Sequence, residues 1–260
     1  MTVFDPVATT QTLARAWHDR VLMDALPPAQ QPVDLAQAYA VQSSLRDQLG
    51  EDAAGWKVAG ASPAGLRASQ FGVALFGYLP STRMHTSPAS MALHPAGPYT
   101  LEVEVAVVFG RAVRPAEETL DITSMISGAH LAIEIVRSRY VDRTKVGASS
   151  FIADNSAFHA FVRGDALPGE WDIAALQERA VLMRDGVEFA SALNGDALTN
   201  PAASLTLFWE HAAQQDLVVP SGAVVTTGTL TVATDAHQPG DYEARLGPVS
   251  YTHLEPTRPY

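Results

Sequence analysis

The chain has 260 residues, 47% of them hydrophobic and 17% charged, and it contains no cysteine. That composition is enough to bury a sizeable core, and it excludes bulk disorder, disulfides, thiol catalysis and zinc–thiolate sites. The 28 Asp+Glu against 17 Lys+Arg give a formal net charge of −11, which argues against nucleic acid or anionic lipid as a partner, since both demand a surplus of base.

Residues 10–26 carry Leu13, Ala16, Trp17, Val21, Leu22 and Ala25 close to an i, i+3, i+4 stripe, and this predicts a first helix. Pro27, Pro28 and Pro32 stop it. Asp34 is the expected N-cap of a second helix, with Leu35, Ala38, Tyr39, Val41, Leu45 and Leu49 as its buried face and Gly50 as C-cap; Gln42 interrupts that stripe. Residues 55–60 and 72–79 read as short strands between glycines, and Pro80, Pro88, Pro95 and Pro98 mark a loop-rich stretch. The strongest strand is 99–109, YTLEVEVAVVF. Residues 124–135 read as a helix running into a strand, and 153–162 as a strand. A hairpin is expected over 181–189, turning at Asp185-Gly186. An amphipathic helix follows over 201–214, then strands over 218–227 and 242–251. The polar tail 253–260 is expected to fray or to pack on a neighbour. Helices first and many short strands afterwards argue for an α+β fold with a mostly antiparallel, barrel-like or sandwich-like core. Phosphate-binding glycine motifs are absent from the sequence. No apolar run approaches the ~18 residues of a membrane span, and the N-terminus has no basic-then-apolar leader, so a cytoplasmic location is expected.

Glu102 and Glu104 stand two apart in an otherwise apolar strand, so they share one face while Leu101, Val103, Val105 and Val107 take the other. Two buried, unpaired carboxylates repel, and a hard divalent cation resolves this; a solvent-facing strand edge resolves it too. Glu134 is a lone acid in the apolar run 130–136, either a site residue or the partner of Arg137 or Arg139. Lys57, between Trp56 and Val58, either snorkels outward or points into a cleft. Asp154-Asn155-Ser156 fits a turn cap, and Thr226-Thr227-Gly228 fits either a turn or an anion site. The histidines show no H-x-x-x-H spacing; His94, His237 and His253 are expected in loops, and His18 could face a site from the first helix.

Taken in order, the motifs Gly55-Trp56-Lys57-Val58-Ala59-Gly60, Phe71-Gly72-Val73, Phe76-Gly77-Tyr78-Leu79, Leu101-Glu102-Val103-Glu104, Ile133-Glu134-Ile135-Val136-Arg137-Ser138-Arg139, Ala153-Asp154-Asn155-Ser156 and Thr226-Thr227-Gly228 resemble the fumarylacetoacetate hydrolase superfamily. The resemblance is to its 2-keto-4-pentenoate hydratase and 4-oxalocrotonate decarboxylase branch, and it runs over nearly the whole chain. It implies a mixed β-roll core with an N-terminal helical segment over 1–70 packed on a catalytic domain over 71–260, together forming one structural unit. It also implies Mg²⁺ or Mn²⁺, with Ca²⁺ as a substitute, held by Glu102, Glu104 and Glu134. Lys57 and Asp154 are then catalytic, and Asn155, Thr227, Gly228 and Phe76 face a 2-oxo acid substrate. The expected activity is hydration of a 2-hydroxy-2,4-dienoate in aromatic meta-cleavage catabolism, by a homo-oligomer. The alternatives are 4-oxalocrotonate-type decarboxylation or acylpyruvate C–C hydrolysis at the same metal, or a non-catalytic partner subunit. One departure favours the alternatives: hydratases of the branch carry an acid just before the Phe-Gly pair, where this chain has Val73-Ala74-Leu75. Phe71, Leu75, Phe76 and Phe151 are the candidate wall for the substrate's tail.

Overall fold

The computed structural model describes residues 4–92, 98–167, 179–247 and 249–257. His94 and Pro95, and the last three residues of the tail, lie outside them.

Helix α1 (Pro6–Asp19) starts where the Asp5 carboxylate accepts from the Ala8 amide, with Pro6 supplying a preset first turn. It ends earlier than the stripe predicts. Arg20 takes the left-handed conformation, and the following chain runs extended, Met23 bonding both Arg139 and Val141. Those backbone bonds outcompete the helical pattern of Val21, Leu22 and Ala25. Helix α2 (Leu35–Leu49) has the expected Asp34 and Gly50 caps. Leu13, Ala14, Trp17, Val41 and Leu45 pack α1 and α2 together as a small separate core. Gln42 is buried because its side-chain amide donates to the Phe76 and Ile152 carbonyls, both at 2.9 Å, so its polar interruption of the stripe ties α2 to the rest of the molecule.

The remaining elements, in chain order, are β1 (Ala53–Ala59), α3 (Pro63–Ala68), β2 (Leu75–Pro80), β3 (Met84–Thr86), β4 (Ala89–Ala92), β5 (Tyr99–Phe109), α4 (Ile122–Met125), β6 (Ile126–Val136), α5 (Gly147–Ala153), β7 (Phe158–Ala166), β8 (Ala180–Arg184), β9 (Val187–Ala190), α6 (Pro201–Gln214), β10 (Val224–Thr229), β11 (Thr234–Ala236), β12 (Tyr242–Leu246) and β13 (Val249–Thr257). An eight-stranded mixed sheet runs β2-β1-β10-β5-β6-β7-β3, with β11 added to β5; a five-stranded sheet runs β4-β13-β12-β8-β9. The architecture is the α+β, β-roll-like arrangement that the element order predicts. Strand β1 lies between β2 and β10, so the 1–70 segment contributes a central strand to the sheet as well as its helices.

Two expectations are corrected here. Residues 153–157 are not strand: α5 ends at Ala153, and Asn155, Ser156 and Ala157 follow in the left-handed region. The tail does not fray over its described part, because β13 continues through Thr257 and pairs in parallel with β4. His253 therefore sits in a strand and not in a loop.

Strand β5 alternates as its sequence demands. Leu101, Val103, Val105 and Val107 enter the main core with Phe208, Tyr242 and Leu182, while Ala106 packs on the opposite face with Ala132, Phe158 and Phe161. Glu102 and Glu104 share that second face. Nearby, β1 runs so close to β10 that a Cβ on Gly55 would lie 1.9 Å from the Val224 carbonyl oxygen. Gly55→Ala therefore forces the two strands apart, and we expect a loss of about 3 kcal/mol, the upper range for overpacking, read as a lowered denaturant midpoint.

Candidate metal centre

The β5–β6 pairing builds the site. Glu102 and Glu134 are direct partners in the antiparallel register, and Glu104 follows two residues along, opposite Ala132. Long-range strand pairing thus adds the third acid to the two that alternation already aligned. One carboxylate oxygen from each lies within 4.8 Å of the others. Glu104 and Glu134 are fully buried, and Glu102 is the most accessible of the three.

Lys57 reaches the cluster from β1. Its Nζ donates to Glu134 Oε1 at 2.5 Å and to the Ser156 carbonyl at 3.2 Å. Glu104 Oε2 accepts from the Gly228 amide at 2.9 Å, at a residue whose φ of 90° favours glycine. Burial raises the Glu102 carboxyl above its ordinary range, as does Glu134, although Lys57 and Arg143 pull it down. Burial, then Glu134 and Glu102, push Glu104 well above it. Burial opposes the charge of Lys57, but the three carboxylates outweigh it and raise its pKa.

Three carboxylates against one ammonium leave a formal surplus of two negative charges in a dry setting. Glu134 Oε2 is buried and has no hydrogen-bond partner among the described residues. Both features fit a divalent cation: it balances the charge and gives the orphaned oxygen a partner. An all-oxygen donor set selects a hard ion such as Mg²⁺, Mn²⁺ or Ca²⁺. Glu134 pairs with Lys57, and not with Arg137 or Arg139, the two partners its sequence neighbourhood offers.

The other expected site residues are placed as follows. Asp154 is consumed by Arg139: its Oδ1 accepts from Arg139 Nε, and its Oδ2 accepts from the Ser138 hydroxyl and the Arg139 amide, both at 3.0 Å. Asn155 is spent on β2, accepting from the Tyr78 amide at 2.8 Å and donating to its carbonyl at 2.9 Å. These bonds hold three successive left-handed residues, each costing about 1–2 kcal/mol outside glycine, and the turn they hold presents the Ser156 carbonyl to Lys57. Gly77 permits the approach, since a Cβ there would lie 2.9 Å from Asn155 and 3.0 Å from Lys57. Thr227 turns its hydroxyl into the sheet, onto the Val105 carbonyl, at 2.9 Å. Phe76 is buried, stacked on His211 with centroids 4.1 Å apart. Asp154→Asn strips a buried guanidinium of its counter-charge, and we expect it to cost about 3 kcal/mol, measurable as a lower melting temperature with and without Mg²⁺.

A cavity of about 470 Å³ opens one register step from the cluster, where Thr100 and Val136 pair on the face of Glu102 and Glu134. Its wall includes Arg137, Arg143, Thr144 and Asp235. Phe71, Leu75, Phe76 and Phe151 do not line that cavity, whose wall mixes polar and apolar side chains. Sequence reasoning missed Arg143, Arg139 and Ser156. Arg139 had a signal, as a second arginine beside an apolar run holding one acid; Ser156 acts through its backbone and had none.

Comparison with known proteins finds likeness in sequence to one protein and in fold to several solved structures. No family model matches the chain. The 4-oxalocrotonate decarboxylase of Pseudomonas putida is 25% identical over 153 residues, which is 58% of this chain and 56% of that protein, so the match spans about half of the relative. The solved structure of 4-oxalocrotonate decarboxylase from Pseudomonas putida G7, complexed with magnesium and adipate, superposes with a TM-score of 0.84 at 18% identity over 97% of both chains. The 2-hydroxyhepta-2,4-diene-1,7-dioate isomerase of Mycobacterium marinum superposes at 0.53 and 12% identity, over 80% of this chain and 77% of that one.

Proposed function

Starting from the fumarylacetoacetate hydrolase-type fold that this chain carries, we propose that it is a divalent-metal-dependent lyase that decarboxylates an unsaturated 2-oxo dicarboxylate of the 4-oxalocrotonate type. The carrying observation is the three-acid cluster with an arginine-bearing cavity one register step beyond the Glu102–Glu134 pair on β5 and β6. A dicarboxylate offers one end to the cluster and a second carboxylate to Arg143; the dienoate substrate of a hydratase has no second carboxylate. Likeness to a decarboxylase over the full chain supports the same choice. Val73-Ala74-Leu75 brings no acid to activate water, which further weakens hydration.

Glu102, Glu104 and Glu134 would hold the ion. Bound Mg²⁺ or Mn²⁺ would supply Lewis-acid polarisation of the 2-oxo acid. Lys57 has three donors, and two are taken by Glu134 and Ser156. Its remaining N–H would donate to the C2 oxygen. As the bond to the distal carboxylate breaks, CO₂ leaves and its electron pair moves through the conjugated chain onto that oxygen. The raised pKa of Lys57 keeps it an ammonium, so it stabilises the developing charge and solvent supplies the proton that completes the dienol. Asp154 and Asn155 act on this step as positioning residues, through the turn that carries Ser156.

The test incubates purified protein with 2-oxo-3-hexenedioate, with Mg²⁺ and with chelator, and follows CO₂ and product mass. Metal-dependent CO₂ release supports the proposal. No CO₂, but addition of water to freshly made 2-hydroxypenta-2,4-dienoate, replaces it with hydration. Metal binding with neither reaction replaces it with the partner-subunit reading.

A further inference from the structure

A second cavity, of about 410 Å³, lies between the end of α1, β4 and the ends of β5 and β6. Its wall includes Trp17, Arg20, Arg83, Arg137, Arg139 and His159. Tyr99, which also lines it, belongs to the apolar row of β5 with Leu101 and Val103, so the cavity lies across that strand from the carboxylates. It therefore lies apart from the three acids, although Arg137 lines both this cavity and the first. His18 lines this cavity, and not the acidic cluster.

Four guanidiniums at one cavity are unusual for a chain of net charge −11. Arg139 is paired with Asp154, and Arg83 with Glu51 at 2.9 Å. Arg20 has no ion pair among the described residues. Arg83 and Arg139 both lie over the Trp17 ring, 4.4 and 4.0 Å from its centroid. Trp17 itself is 7% exposed, and its Nε1–H finds no acceptor among the described residues. A buried donor left without a partner costs about 1–3 kcal/mol, and the two guanidiniums over its ring are donors too. Burial, reinforced by Arg139, Arg83, Arg137 and Arg20, holds the His159 pKa well below its ordinary value. The field in the cavity is thus positive even at its histidine.

We propose that this cavity is a second ligand site, for a small organic anion whose carboxylate or phosphate group accepts from Trp17 Nε1–H and the guanidinium of Arg20. Four guanidiniums and an unpartnered indole N–H at one wall call for an oxyanion. The volume exceeds that of a single ion and falls in the range of small-molecule pockets. The Trp17 and Tyr99 rings supply an apolar surface for the carbon part of the ligand.

The test is calorimetric titration of the full chain in chelator, so that anion binding at a loaded metal centre cannot contribute. The probes are inorganic phosphate and succinate, at an ionic strength held constant with sodium chloride. We expect at least one probe to bind above the chloride background. R20Q should weaken that binding about tenfold and leave both the ligand-free melting temperature and the Mg²⁺ affinity unchanged. W17F keeps an aromatic ring beneath the guanidiniums but removes the N–H, and it should weaken binding as well. Phosphate alone binding assigns a phosphate-bearing ligand, and succinate alone a carboxylate-bearing one. Neither probe binding above chloride overturns the site, as does R20Q binding like the parent protein.

Discussion

Lys57→Met is expected to lower turnover about 10²- to 10³-fold while the protein still binds Mg²⁺. Methionine follows the aliphatic path of lysine and fills similar space, so the change removes an ammonium and little else. That ammonium is 2% exposed and bonded to Glu134 and the Ser156 carbonyl. The size of the rate loss is that of removing one preorganised donor to developing charge. Stability changes in a way that separates the two roles. In chelator, Glu134 loses its counter-charge in a dry site, a loss of order 3–5 kcal/mol for a broken buried pair, reduced by whatever proton uptake relieves. Added Mg²⁺ restores much of that stability, because the ion replaces the missing positive charge. Single-turnover rates and melting curves with and without Mg²⁺ check both halves. A variant that turns over like the parent removes Lys57 from the chemistry.

What could be read from the sequence divides along physical lines. Local signals held: the Asp34 and Gly50 caps of α2 and the two-faced alternation of β5 came from neighbours in the chain. They were enough to place Glu102 and Glu104 on one face. The third acid needed the β5–β6 register, which pairs residues 32 positions apart, Glu102 with Glu134. Only the motif resemblance supplied that register in advance. The errors have one cause as well. Helix α1 was read too long and β7 too early because long-range bonds override local pattern: Met23 to Arg139 and Val141 in one case, Asp154 to Arg139 in the other. Gln42 looked like a flaw in a hydrophobic stripe and is a buried tie to two carbonyls. The second cavity was invisible for the same reason, since its four arginines come from three separate stretches of chain.

Glu104→Gln is expected to weaken Mg²⁺ binding at least about 100-fold, or about 2.8 kcal/mol at 1.4 kcal/mol per decade, without unfolding the protein. Glutamine keeps an oxygen to accept from the Gly228 amide and removes one of three crowded negative charges. The pH dependence carries the sharper test. The folded-state pKa of Glu104 is raised well above the ordinary 4.5 by burial and by Glu134 and Glu102. A carboxyl raised on folding favours the folded state below its unfolded pKa and loses that contribution as pH climbs through the folded value. In chelator, this cluster therefore makes the parent protein less stable as pH rises above about 4.5 toward neutrality. Metal affinity runs in the opposite direction, because an ion must displace the proton. Burial raises both Glu102 and Glu104, and Glu102 adds to the rise at Glu104, so the curve belongs to the pair and not to one residue. In Glu104→Gln the chelated stability curve flattens, and the Mg²⁺-induced rise in melting temperature largely disappears. Melting in chelator from about pH 5 to pH 8, paired with Mg²⁺ titrations at each pH, measures both slopes. Parent and variant curves that coincide would mean that Glu104 is not held against its neighbours in this way, and the metal site would have to be sought without it.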